Sequence, residues 1–427
     1  DLSVVGMHTL RRGLKSLIGT WMTGSPQSEA SPGTDASTAD HPGVPRGTGS
    51  HRRRVRAAML RGDWWCRDLS RWLLANRFAR QLDRLVAIHR PDVLHAHSPY
   101  WCAEPALRIG RRRGIAVVYE VRGLWEDSSV TDGVLAPDGA GYRAWRAREQ
   151  AACESADAVI CICESLRDDL VARGVDASKV FVAPNGVDSE LFGAGQTASA
   201  SEFVDPPVPA DDRPERLTLG YIGSLRPLEG VDELVRGVGA LVRAGQDVSL
   251  LVVGDGPELH TLRSLAAREG VRDRAVFTGR VPHGEIQQYY SQIDIFVISR
   301  PPDRAPSIVT PIKPLEAMAM GVPVLASDLP ALRELVRDGE TGLIYRPGDL
   351  EDFVRVCSGK VRDAAFRQRI AENARSWALQ ERSWPRVLRA TQAAYAHAAH
   401  CAGQRQARTV GVERQQVTDP PVAKEMP

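Results

Sequence analysis

"LTLGYIGSLRPLEGVDELVRGVGALVRAGQDVSLLVVGDGP", residues 217–257, joins an apolar run, a glycine-bearing turn, a helical pattern and a second apolar run. Short apolar runs bounded by glycine or proline read as parallel strands buried on both faces, and the stretch between these two has the period of an amphipathic helix. Downstream the alternation continues through the helix "ELHTLRSLAAREG", the run "AVFTGRV", the helix "GEIQQYYSQ", the run "DIFVIS", then "PVLAS" and "TGLIY". Upstream it is matched by "PDVLHAHS", "GIAVVYEVRG", the helix "YRAWRAREQAACESA", "DAVICIC", the helix "ESLRDDLVARG" and "KVFVAPNGVD". Strand and helix alternating in this way predict α/β architecture with two doubly wound parallel sheets. Such sheets take ligands at the carboxyl ends of their strands, so a cleft between the two is the expected site.

Composition narrows the function. The 427 residues are 43% hydrophobic, enough for a sizeable core, and 55 Lys+Arg against 53 Asp+Glu leave no global field that would favour nucleic acid as a partner. Seven cysteines, at 66, 102, 153, 161, 163, 357 and 401, have neither metal-site spacing nor the density of a disulfide scaffold, and a reducing cytoplasm is the expected location. The pair in "ICICE" reads as core packing. No apolar run reaches the ~20 residues of a membrane-spanning helix. "GDGP" at 254–257 has Leu259 where a third glycine would complete a dinucleotide fingerprint, which argues against an oxidoreductase.

The chemistry concentrates in "TPIKPLEAMAMGVPVLASDLPALRELVRDGETGLIY", residues 310–345. Pro314 suits a first helical turn and Gly321 a helix end, so "PLEAMAM" predicts a short helix with Glu316 near its start. There Glu316 can accept from a ribose diol while Thr310, Lys313 and free backbone N–H groups face a diphosphate. The plainer alternative is a glutamate that complements the helix dipole beside a solvated lysine.

The order "YIGSLRPLEGVDELV", "LLVVGDGPE", "FTGRVPHGEIQQYY", "DIFVISR" and "PLEAMAMGVPVLASDLPALRELVRDGETGLIY" resembles the donor domain of the family-4 retaining glycosyltransferases. "HAHS", "ADAVICICESLRDDL" and "VAPNGVD" resemble that family's first domain, so the likeness spans roughly residues 85–400. It implies two facing Rossmann-like domains, the GT-B arrangement, with no required metal and no cofactor. The implied activity is hexosyltransferase-type: a sugar moves from a UDP- or GDP-linked donor to an acceptor hydroxyl with retention. "TPIKPLEAMA" together with "GSLRP" resembles one subgroup of the family. The implied donor-binding residues are Gly223, Ser224, Arg226, Gly254, Gly256, Thr310, Lys313, Pro314, Leu315 and Glu316.

Departures from the family pattern matter. A second glutamate is usual eight positions before the ribose-binding one, where this chain has Ile308, and the usual Arg and Lys of the glycine-rich loop are Ser224 and Glu229. A leaving diphosphate needs cations or N–H donors, and Arg226 and Lys313 are the expected replacements, with Arg304 and Asp303 as further candidates and Asp303 in the role of the absent glutamate. On the acceptor side the family's histidine position holds Arg122, which cannot act as a base but can hold a phosphate or an anionic acceptor. Catalytic roles are therefore expected for Arg122, His97, Arg226 and Lys313, and acceptor contacts for His97, Arg122, Glu126 and Asp127. A strand-end hydrogen-bonding role stays open for His95 and His97, and a solvated loop for Glu126 and Asp127.

These readings divide the chain into a low-complexity segment over 1–60, an acceptor-side domain over 61–192, a linker over 193–215 and a donor domain over 216–370. C-terminal helices over 371–400 are expected to cross back to the first domain, ahead of a disordered tail over 401–427. Residues 1–60 hold no counterpart of the family's opening strand and glycine-rich loop, and the chain starts at Asp1, so truncation or divergence is expected there. Arginines beside tryptophans over 51–72 fit either peripheral contact with the inner face of a membrane or a solvated basic helix face. A nucleotide sugar and a carbohydrate or lipid-linked acceptor are the expected partners. The rival readings are a silent nucleotide-sugar-binding subunit and a same-fold epimerase or hydrolase.

Overall fold

The computed structural model describes residues 76–188 and 216–418, with side chains up to residue 407. The expectations for 1–60, 51–72 and 193–215 lie outside the described residues. The chain divides into two compact units, residues 1–92 and 93–427. In the first, one helix is described, over residues 76–89.

The second unit carries both sheets. Its first half runs β1 (Val93–His97), α1 (Tyr100–Arg113), β2 (Ala116–Val121), α2 (Trp125–Thr131), α3 (Ala140–Ser155), β3 (Ala158–Cys161), α4 (Glu164–Ala172) and β4 (Val180–Val182). These four strands are parallel, in the order β1-β2-β3-β4. The second half runs β5 (Leu217–Ile222), α5 (Val231–Arg243), β6 (Val248–Val253), α6 (Leu259–Arg268), β7 (Ala275–Gly279), α7 (Ile286–Tyr290), β8 (Ile295–Ile298), α8 (Arg304–Ile308) and α9 (Lys313–Ala319). It continues through β9 (Val324–Ser327), α10 (Pro330–Arg333), β10 (Leu343–Tyr345), α11 (Leu350–Ser358), α12 (Ala364–Glu381) and α13 (Trp384–Thr418). The six strands are parallel and ordered β10-β9-β8-β5-β6-β7.

Every residue of β2, β3, β6, β8 and β9 is buried, which is why these strands read as continuous apolar runs and not as alternating ones. Two helices of the second half have aspartate caps: Asp349 accepts from the backbone N–H of Asp352 at 2.9 Å, and Asp363 from that of Phe366 at 3.1 Å. Strand order reverses between β8 and β5, and at such a switch point the following loops part to leave a crevice. The loops after β5 and β8 hold Glu229 and Arg300, and the Ser299 hydroxyl donates to the Gly230 carbonyl at 2.7 Å to lock one to the other.

The return to the first sheet occurs later than expected. Phe366, Ile370, Ala374 and Ala378 of α12 belong to the core of the six-stranded sheet. The chain crosses near 382–384, where the Val187 N–H donates to the Arg382 carbonyl at 2.8 Å. α13 then packs on the first sheet, with Val387, Ala394, Ala398 and Ala402 against Ala116, Val118, Ala158 and Ile160. The disorder expected over 401–427 is corrected as far as Thr418, where α13 ends, and its remainder, 419–427, lies outside the described residues. Its polar residues are good helix formers with partners on the first sheet's side: Arg405 reaches Asp157 at 3.0 Å and Gln406 donates to the Gly114 carbonyl at 2.8 Å.

Candidate functional site

The loop after β5 is pressed between the loop after β6 and α9, and its glycines serve that packing. Gly254 has φ +139°, and a Cβ there would come within 1.8 Å of the Gly223 carbonyl oxygen. A Cβ on Gly223 would come within 2.2 Å of Lys313 Cε. Gly256 is packed on the backbone of Leu225 in the same loop, while Ser224 is exposed.

Removing those side chains brings charge together. Lys313 Nζ lies 2.5 Å from Glu229 Oε1 and 5.5 Å above the Tyr221 ring, and Arg300 contacts Glu229 at 3.3 Å and the Val309 carbonyl at 3.0 Å. Glu229 and Arg300 are buried. Burial pushes the Glu229 carboxyl up, and Arg300 and Lys313 more than reverse this to hold it at about 2. Burial lowers the Lys313 ammonium, with Glu229 pulling it back. A carboxylate therefore occupies the loop position where the family pattern has a cation, between Arg300 of the loop after β8 and Lys313 at the start of α9.

Glu316 sits on the first turn of α9, behind the buried Pro314 and Leu315, and accepts from the Tyr290 hydroxyl at 3.1 Å. Burial raises its carboxyl pKa, with Tyr290 opposing. Arg226 turns to Asp132, just past the end of α2 in the first half. Thr310 is buried: its hydroxyl donates to the Ile162 carbonyl at 3.4 Å, and its own carbonyl accepts from Asn185 at 3.3 Å. Ile308, at the absent glutamate's position, accepts through its carbonyl from Cys163 Sγ at 3.2 Å. A cavity of about 310 Å³ opens beside these loops, with Thr131, Pro227, Asp232, Glu233, Arg236 and Asp303 in its lining.

A second cluster forms at the carboxyl ends of β1 and β2. Parallel register places Glu120 opposite His97. Glu120 Oε2 lies 3.0 Å from His95 Nε2 and 3.4 Å from His97 Nδ1, and its Oε1 accepts from Arg122 at 2.6 Å. Burial pushes the Glu120 carboxyl up, and His95, His97 and Arg122 outweigh it to leave about 2. Arg122 also donates to the Asn185 side chain at 3.0 Å. His97 and Arg122 are thus brought together, about Glu120.

Glu126 and Asp127 lie apart from that cluster, both buried. Glu126 accepts from Arg173 at 2.9 Å; Asp127 accepts from Tyr142 at 2.8 Å and pairs with Arg304 at 3.2 Å. Both are enclosed, so the solvated-loop reading holds for neither; the start of α2 tucks them against the buried Arg173 instead. Sequence reasoning missed Arg300, Tyr290, Glu120 and Asn185. A charged residue directly after "DIFVIS", and a glutamate inside the apolar "VVYEV", were the available signals.

Comparison with known proteins shows the family and the fold. A family model described as "Glycosyl transferases group 1" matches residues 216–363, and one described as "Glycosyltransferase Family 4" matches residues 40–191. The chain is 30% identical to a D-inositol 3-phosphate glycosyltransferase of Actinosynnema mirum over 332 residues, 74% of this chain and 75% of the relative. It is 28% identical to an alpha-D-kanosaminyltransferase of Streptomyces kanamyceticus over 53% of this chain, and spans only 56% of that relative's length. Its fold matches the Anabaena HepE protein, solved in complex with UDP, with a TM-score of 0.58 at 17% identity over 78% of this chain and 82% of that one.

Proposed function

From the premise that the chain belongs to the family-4 glycosyltransferases, whose fold is GT-B, we propose that it moves a sugar from a UDP- or GDP-linked donor to an acceptor hydroxyl, with retention and without a metal in the transfer step. The observation that carries the reading is the convergence of Glu316, Lys313 and Arg300 at the switch point of the six-stranded sheet. Glu316 accepts from the ribose diol, and Lys313 and Arg300 stabilise the charge that develops on the leaving diphosphate. Arg226 joins them once a diphosphate displaces Asp132. Asp303, in the lining of the adjacent cavity, takes donor-sugar hydroxyls in place of the glutamate that Ile308 replaces. His97 and Arg122 face the acceptor, a growing polysaccharide or a lipid-linked sugar. A lipid-linked acceptor agrees with cytoplasmic residence at the inner membrane face through the basic, tryptophan-bearing residues 51–72. Among the described residues no helix is long and apolar enough to cross a membrane.

Calorimetry with UDP-sugars and GDP-sugars tests the donor half. Glu316→Ala is expected to weaken binding roughly ten- to a hundredfold, the range for hydrogen bonds to a charged acceptor, and unchanged affinity rejects the ribose role. One observation favours the silent-subunit reading: Lys313 and Arg226 are both held by carboxylates. Donor binding with neither transfer nor hydrolysis, across candidate acceptors, would decide for it.

A further inference from the structure

The His95, His97 and Glu120 cluster offers three ligand atoms that lie within 4.8 Å of one another. Both histidines stand on the same face of β1, two residues apart, and Ala96 between them points into the core. Glu120 comes from the neighbouring strand in direct register with His97. The constellation thus rests on paired strands and not on a loop, which fixes its geometry in advance.

From this we propose that the cluster is a binding site for a borderline divalent cation of the zinc type, held by His95 Nε2, His97 Nδ1 and Glu120 Oε2. Ligand atoms about 2.1 Å from a tetrahedral zinc stand about 3.4 Å apart, and the two histidine nitrogens lie 3.0 and 3.4 Å from the shared carboxylate oxygen. The imidazoles stack at 4.6 Å with 14° between their planes, so a shared ion requires one ring to turn about its Cβ–Cγ bond until both nitrogen lone pairs converge. The groups behind the ligands match what metal sites use. The Tyr395 hydroxyl lies 2.8 Å from His95 Nδ1 and directs the opposite nitrogen to the ion, while Arg122 holds the second carboxylate oxygen at 2.6 Å. Two imidazoles with one carboxylate favour zinc, cobalt or nickel over magnesium or calcium, and three protein ligands leave a fourth position for water or an oxygen of a bound molecule.

The site goes beyond the proposed transfer, which uses no metal, and it shares His97 with the acceptor side, so a bound cation competes with that use of the residue. Calorimetric titration of zinc chloride into the metal-stripped full chain is expected to show one equivalent binding at micromolar Kd or tighter. H97A and E120Q are each expected to weaken that equivalent at least tenfold, and Y395F to weaken it by about tenfold. Cobalt chloride gives an independent reading: the visible absorption of tetrahedral cobalt is expected in the wild type and absent in H97A. Zinc is also expected to raise the melting temperature of the wild type and not that of H97A. His97 is half-exposed, so H97A is expected to fold; should it not, H97Q carries the same comparison. No zinc equivalent in the wild type, equal stoichiometry and affinity in H97A or H97Q, or magnesium bound as tightly as zinc would overturn the proposal and leave the cluster as a hydrogen-bonded strand end.

Discussion

Glu229 faces two cations inside the fold, and the consequences are those of a buried carboxylate held by both. Its pKa falls from an ordinary 4.5 to about 2. A carboxylate with a depressed folded pKa contributes stability that is full above the unfolded value and is lost as pH falls through the folded one; here the contribution is about 3 kcal/mol over the window from 4.5 to 2. Glu229→Gln keeps the shape and leaves Lys313 and Arg300 uncompensated, at a cost of about 3–5 kcal/mol at pH 7. Urea unfolding at a series of pH values checks both statements: the gap between wild type and variant should narrow as pH falls below about 5 and close only near the folded value of about 2. A gap that stays constant over that interval would show that Glu229 is not the titrating group.

Among the elements, α13 makes the clearest case for fit by small side chains. Ala394, Ala398 and Ala402 recur every fourth residue, and opposite them Ala116 and Ala158 replace the larger residues usual in buried strands. Ala398→Leu inserts three heavy atoms into that seam and should cost about 1–3 kcal/mol, seen as a lowered urea midpoint with an unchanged slope; a variant as stable as the wild type would mean that the seam is loose. The alternating runs that make the two sheets were legible because buried parallel strands are continuously apolar, and the β8–α9 region could be read from Pro314 and "DIFVIS". The helical continuation past residue 401 was not legible, since Arg405 and Gln406 look like tail residues until Asp157 and Gly114 are known to lie beside them. The same holds at the site. Glu316 and Lys313 stood out in sequence, but the Glu229–Arg300 pair joins residues 71 apart, and only the strand order of the sheet brings their loops together.

On the scale of the whole second unit, polar contacts tie the two sheets across their facing loops, beside the apolar packing of Val187 from the first half in the core of the six-stranded sheet. Arg226 meets Asp132, Arg304 meets Asp127, and Asn185 meets the Thr310 carbonyl. The most telling tie is Glu334, which follows α10 of the second half and caps α4 of the first. It accepts from the Glu164 N–H at 2.9 Å, from the Ser165 N–H at 2.8 Å and from the Ser165 hydroxyl at 2.5 Å. Residue Cys163 supplies no side-chain cap of its own, so the orphan N–H groups of α4 depend on the other half of the molecule. Glu334→Ala should therefore do two things. It removes a cap worth about 1–2 kcal/mol, lowering the melting temperature, and it loosens the relation between the halves. Small-angle scattering should report a larger radius of gyration for Glu334→Ala than for the wild type, with the difference reduced when UDP is added, if ligand binding draws the halves together. An equal radius in wild type and variant would mean that Arg226, Arg304 and Asn185 suffice to hold the halves without the cap.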